Sequence, residues 1–456
     1  MNIDVKTPRI GLVCFGEINT PYDRLKIMHD QALAVLGNLD GELADAGIVT
    51  DDAAYLSADQ AIGHLKPVDL DCLIVCLAGW IPPHAVIRIT DAFRHLPLLL
   101  WGLCGWRENG RLVTTAGQAG TTALRATFAE MAYRFTFIYS IVGQPEPLDK
   151  IRDFTTAASA ARRLRSARIG TMGYRDMLLY GTQYEGNSLR YRIGVEVEPF
   201  EMLEVVQRAA AVDDSAVRDR IEWIRAHWVF DQPCAEAILE KGVRYALAIG
   251  QRVADRGYAA ITLIDVDGMK KLLGFPPAMV FMLIDALHGV ATIPENDVMG
   301  SVTQLMVGFC TGQTATYLEY YEFFTDSVLI GVPDFVPQAA VQGDVHVLPT
   351  AFGLLDRSLL NVSQIRTGRV TCARLIYRQG GYVMHIYTGE ARTPQPWEEC
   401  GWTPPAPQLP SLEVFPDSCS VEELAAEVSS QHVIVSYGDN RRRLRYLCEL
   451  LGIAVI

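Results

Sequence analysis

Glu295 and Glu319 are the two acids in this 456-residue chain whose spacing points to a shared site. Glu295 lies in the run Pro294-Glu295-Asn296-Asp297-Val298, and Glu319 follows 24 residues later in Glu319-Tyr320-Tyr321. Residues 289–293 read as a short buried strand, and Asp297 as the N-cap of a helix with Val298, Val302, Leu305, Met306 and Phe309 on one face. Gly312 ends that helix, and residues 315–318 read as a second strand, parallel to the first across a helical crossover. Both acids then leave the carboxyl ends of parallel strands, where open α/β sheets place their ligands. Two carboxylates brought together repel, so a cation or a shared proton is expected between them. The bland alternative is a pair of solvated loop glutamates.

The elements needed to position such a pair are visible along the chain. Buried-strand patterns at residues 9–15, 72–77 and 98–101, with an amphipathic helix at 25–39, predict a parallel, doubly wound sheet. The pattern restarts near residue 165: residues 167–171 read as a first strand again, and 259–264 and 289–293 continue a second sheet. After residue 337 the period becomes β-type, with strands at 369–377 and 382–388 around Gly380-Gly381. A proline-rich loop and a Ser420/Glu423 capping box follow. The expected fold is therefore α/β: two doubly wound Rossmann-like parallel-sheet domains, residues 1–165 and 166–336, then a small β-barrel-like domain with terminal helices, residues 337–456. The central domain carries the two acids.

Composition narrows the partners. Forty basic against 53 acidic residues give a net charge of −13, and no segment has the basic density that draws a phosphate backbone, so nucleic acid is not expected. No signal pattern opens the chain and no apolar run approaches about 18 residues, which predicts a cytoplasmic protein without a membrane partner. The ten cysteines include no CxxC pair and read as reduced core residues. Nucleotide fingerprints are absent: no GxGxxG follows the first strand, and there is no GxxxxGK[ST].

The run Glu295-Asn296-Asp297, Gly300, the apolar helix, Thr311-Gly312 and the second acid resemble the central metal-binding segment of the L-fucose isomerase and L-arabinose isomerase superfamily. Near the end, Gln431-His432-Val433-Ile434-Val435-Ser436-Tyr437 and the helix that follows resemble the C-terminal segment of the arabinose branch. The resemblance implies that Glu295, Glu319 and His432 hold a divalent metal, Mn²⁺ first with Mg²⁺ or Co²⁺ as substitutes. It also implies an aldose-ketose isomerase, an intramolecular oxidoreductase acting on a pentose or 6-deoxyhexose. An enediol proton would pass between Glu295 and Glu319 while the metal stabilises the developing charge.

The resemblance further implies a homotrimer or homohexamer, and a sugar contact at Trp80, whose face suits the apolar side of a sugar but equally suits packing. Tyr437 and Asp439 flank the His432 segment as supporting candidates. Many relatives carry one more histidine in the segment 329–337. Here Val332 stands in its place, and Asp334 is the nearest substitute. That departure supports the alternative function, a non-catalytic or regulatory sugar-binding relative with an altered metal shell.

Overall fold

The computed structural model describes residues 6–332, 335–350, 358–402 and 406–456. The fold is mixed α/β, with parallel sheets and a closed six-strand β-barrel. The chain divides into two compact units, one of residues 6–162 with Arg445–Gly452, the other of Arg163–Leu444 with Ile453–Ile456.

In the first unit, β1 (Arg9–Phe15), β2 (Glu42–Val49), β3 (Cys72–Leu77), β4 (Leu98–Gly102) and β7 (Phe135–Tyr139) form a parallel sheet in the order β2-β1-β3-β4-β7. Between β4 and β7 lies a small hairpin of β5 (Trp106–Glu108) and β6 (Arg111–Val113). Every residue of β3 is buried, as a continuous apolar run must be when helices cover both faces of a parallel sheet. Strand order reverses between β1 and β3, so the loops after these strands flank the crevice at which such sheets bind ligands.

The second unit holds a parallel sheet of β8 (Arg168–Met172), β9 (Glu196–Phe200), β11 (Ala260–Leu263) and β12 (Ala291–Ile293), in the order β12-β11-β8-β9. It also holds a three-stranded sheet of β10 (Trp228–Phe230), β15 (Val345–Leu348) and β16 (Leu360–Asn361). The barrel closes through antiparallel pairs in the ring β17-β20-β13-β14-β19-β18 and back to β17. Its strands are β13 (Thr316–Phe323), β14 (Val328–Gly331), β17 (Gly368–Arg378), β18 (Gly381–Arg392), β19 (Ser411–Pro416) and β20 (His432–Tyr437). A last short strand, β21 (Ala454–Val455), adds in parallel to β18.

This topology departs from the parallel arrangement that the sequence predicts for Glu295 and Glu319. Residues 316–323 do not continue the parallel sheet beside β12. They form a barrel strand, antiparallel to β14 and β20. The helix between the two acids does form, over Val298–Thr311, with the Asp297 side chain accepting from the Gly300 N–H and Gly312 closing it at φ 72°. Thirteen of its residues are buried, so it is a central helix covered on all sides rather than an amphipathic crossover. Val332 is buried in the apolar core of this unit. Asp334 lies outside the described residues.

Candidate metal centre

Glu319 and His432 face each other as direct partners on β13 and β20. Partners in an antiparallel pair present their side chains on one face about 4.5–5.5 Å apart at Cβ. Tyr317, two residues before Glu319, shares that face. The alternate residues Leu318, Val433 and Val435 pack into the apolar core, which sends Tyr317, Glu319 and His432 to the other side. Strand register thus fixes two of the three expected ligands.

Glu295 arrives differently, from the loop after β12. Both Glu295 and Asn296 occupy the left-handed region, at φ 63° and 51°, which costs a non-glycine residue about 1–2 kcal/mol. The loop is pinned there by its neighbours. The Glu295 N–H donates to Asp265 Oδ1 at 2.7 Å, the Asn296 N–H to the Leu263 carbonyl at 3.0 Å, and the Thr171 hydroxyl to Asn296 Oδ1 at 3.1 Å.

The three groups meet. His432 Nε2 lies 3.2 Å from Glu295 Oε2 and 3.4 Å from Glu319 Oε1, and one ligand atom from each residue falls within 4.8 Å of the others. Ligands on neighbouring vertices of an octahedron with bonds of about 2.1 Å are about 3.0 Å apart, so the two short separations suit one hard divalent cation. His432 and Glu295 are buried, whereas the Glu319 side chain retains 22% exposure. The site is therefore open on the Glu319 side.

The other ring nitrogen, His432 Nδ1, lies 3.3 Å from Asp297 Oδ2. Asp297 is completely buried and is held by the Gly300 N–H at 2.8 Å, the Tyr317 hydroxyl at 3.0 Å, and both terminal nitrogens of buried Arg374 at 2.6 and 3.0 Å. Burial opposes its charge, yet the Arg374 and His432 interactions outweigh that and hold Asp297 well below the usual carboxylate range. Burial likewise opposes a proton on His432, but hydrogen bonds to Asp297, Glu295 and Glu319 raise its pKa well above the ordinary histidine value.

Other polar and aromatic side chains lie elsewhere. The Tyr437 hydroxyl donates to the Arg366 carbonyl at 2.8 Å, and five residues along β20 it points to the opposite face from His432. His346 contacts Asp231 at 2.8 Å. Buried His385 has its pKa lowered by burial. Trp80 belongs to the other unit, where it is 38% exposed and lines a groove of about 490 Å³ with Glu17, Asn19, Thr20, Arg24 and Thr115. That groove sits at the carboxyl ends of β1 and β3. Sequence reasoning missed Arg374, Tyr317 and the second role of Asp297. An arginine inside the apolar strand pattern at 369–377 was the available signal, because a buried guanidinium demands a carboxylate.

No protein-family model matches the chain, and no curated protein sequence matches it. Among solved structures, it is similar to an ABC transporter solute-binding protein from Burkholderia multivorans, with an unknown ligand represented as alpha-D-erythrofuranose. That match has 10% identity, covers 68% of this chain and 95% of that one, and has a TM-score of 0.18. An ABC transporter periplasmic solute-binding protein from Actinobacillus succinogenes with bound D-allose matches at 13% identity, covering 63% of this chain and 94% of the other, with a TM-score of 0.16. A Mycobacterium smegmatis structure matches at 14% identity, over 64% and 88%, with a TM-score of 0.13.

The sequence-based assignment does not stand: no family model and no curated sequence supports membership of the L-fucose and L-arabinose isomerase superfamily, the isomerase class or the intramolecular oxidoreductase activity, and the two neighbours whose function is named are solute-binding proteins. TM-scores this low transfer neither a fold nor a ligand to this chain. The structure defines a mixed α/β protein with a barrel and a Glu-Glu-His cluster that is buried at Glu295 and His432 and open at Glu319.

Proposed function

We propose that the protein binds a small sugar without converting it, through a divalent cation held by Glu295, Glu319 and His432. The observation that carries this reading is the convergence of these three side chains, from a sheet loop and two barrel strands, within 4.8 Å. Charge supports it. Glu295, Glu319 and Asp297 bring three negative charges, Arg374 one positive, and a neutral imidazole leaves −2, which a divalent cation neutralises. Two carboxylates and one imidazole suit Mn²⁺ first, then Mg²⁺ or Co²⁺, and contain no thiolate to attract softer metals.

A bound cation of this kind offers open coordination positions to hard oxygen donors, such as neighbouring hydroxyls of a pentose or 6-deoxyhexose. Glu319, at the open edge, is then both a ligand and the nearest acceptor for a sugar hydroxyl. A cytoplasmic location is supported by ten cysteines that are all free, six of them buried.

The test is calorimetric titration of pentoses and 6-deoxyhexoses into EDTA-treated and Mn²⁺-loaded protein. The reading expects at least one sugar to bind at least tenfold more tightly with Mn²⁺. Equal binding by the two forms, or binding by neither, overturns it.

A further inference from the structure

We infer that Asp297 and Arg374 are positioning residues for the cation, fixing the His432 ring so that Nδ1 carries the proton and Nε2 is presented between Glu295 and Glu319. The inference rests on the reading that these three residues hold a divalent cation. Its geometric basis is a buried chain of contacts that continues behind the ligands. His432 Nδ1 has Asp297 Oδ2 at 3.3 Å, while Nε2 faces the two glutamates at 3.2 and 3.4 Å. A metal-bound histidine usually donates its second ring N–H to a carboxylate, which sets the tautomer and the ring plane.

Asp297 has little freedom to move. Four donors from three elements hold it: the Gly300 N–H in its own helix, the Tyr317 hydroxyl on β13, and the two-pronged Arg374 guanidinium on β17. A fork of this kind fixes a carboxylate plane as well as its position, which a lysine cannot do. The Tyr317 ring also packs against the His432 imidazole at 4.4 Å between centroids, so the residue that holds the carboxylate also limits rotation of the ring. Gly300 has a part in this arrangement: a Cβ there would lie 2.8 Å from Asp297 Oδ2 and 2.9 Å from Arg374 Nη1. The approach of guanidinium to carboxylate therefore requires glycine at this position. Asp297 thus does two jobs. One oxygen caps the helix, and the other orients the histidine.

The experiment measures Mn²⁺ affinity by electron paramagnetic resonance, and the His432 ring tautomer by ¹⁵N NMR with Mg²⁺ as the diamagnetic ion. Wild type, Asp297→Asn, Arg374→Lys and Tyr317→Phe are compared. Asp297→Asn is expected to weaken Mn²⁺ binding about 10–100-fold and to mix the ring tautomers. Arg374→Lys keeps the charge but loses the fork, and is expected to weaken binding about tenfold by the same positioning argument. Tyr317→Phe should have the smallest effect. If Asp297→Asn does not fold, the other two variants carry the test. Wild-type Mn²⁺ affinity within twofold, with an unchanged tautomer, in the folded variants overturns the inference while leaving the cation reading intact. Failure of wild type to bind Mn²⁺ overturns both.

Discussion

The two sides of the Glu-Glu-His cluster are held in place by opposite means. Glu319 and His432 sit in register on paired barrel strands, where ordinary extended backbone places them side by side. Glu295 sits in a loop with two successive left-handed residues, a conformation that persists only because Asp265, Leu263 and Thr171 hold it. Such strain is characteristic of functional loops whose surroundings over-determine them. The comparison teaches that a sheet pleat positions ligands without added strain, whereas a ligand reaching in from a second element needs its own set of hydrogen bonds.

The comparison can be broken hardest from the barrel side. Arg374→Met leaves Asp297 buried without its counter-charge, and should lower unfolding free energy by about 3–5 kcal/mol, measured by denaturant titration. By contrast, Arg88→Ala removes an ion pair with Asp59 whose partners are 44% and 51% exposed, and should change stability by less than about 1 kcal/mol.

Glu319→Gln separates binding from folding. It should weaken Mn²⁺ affinity about 100-fold, equivalent to about 2.7 kcal/mol. The metal-free melting temperature should change little, because relief of carboxylate repulsion is offset by loss of the contact with His432.

The proton on His432 gives the third prediction. Its folded pKa is raised above the unfolded value of about 6.5. The stability it contributes to the metal-free protein is therefore fully present below pH about 6.5 and is lost as pH rises through the folded value. Saturating Mn²⁺ competes for the same site, so Mn²⁺ affinity should rise with pH, and metal-loaded protein should lose this dependence. Thermal melts from pH 6 to 9, with EDTA and with Mn²⁺, check it.

A smaller effect at the site itself sharpens the loop side. Thr171→Val removes the donor to Asn296 and should cost about 1 kcal/mol. It should nevertheless weaken Mn²⁺ binding, because Glu295 loses its support, while the barrel strands keep their hydrogen-exchange protection.

Much of this site was legible in the sequence, though partly for the wrong reason. The sequence points to Glu295, Glu319 and His432, and the three converge. The sequence reads the strand carrying Glu319 as part of a parallel sheet, because an apolar segment after a helix suits a crossover equally well. Periodicity reports which face of a strand is buried, but not which strand lies beside it. The alternation Tyr317, Glu319, Tyr321 against Thr316, Leu318, Tyr320 also fits an antiparallel barrel strand, as found. Local chemistry was more transparent: Asp297 caps the helix, Ser420 and Glu423 form the capping box, and Gly380-Gly381 joins β17 to β18. The partnership of Asp297 with His432 and Arg374 was not legible, since it depends on strands 77 and 135 positions further along meeting one helix terminus.

The central claim is that three convergent side chains form a divalent-cation site, and counting bound Mn²⁺ tests it most directly. Metal-stripped protein at pH 8, titrated with Mn²⁺ and followed by the loss of the free-ion paramagnetic resonance signal, should take up one ion per chain, with that uptake lost in Glu295→Gln, Glu319→Gln and His432→Gln. No saturable uptake by wild type, or equal uptake by the three variants, would contradict the account.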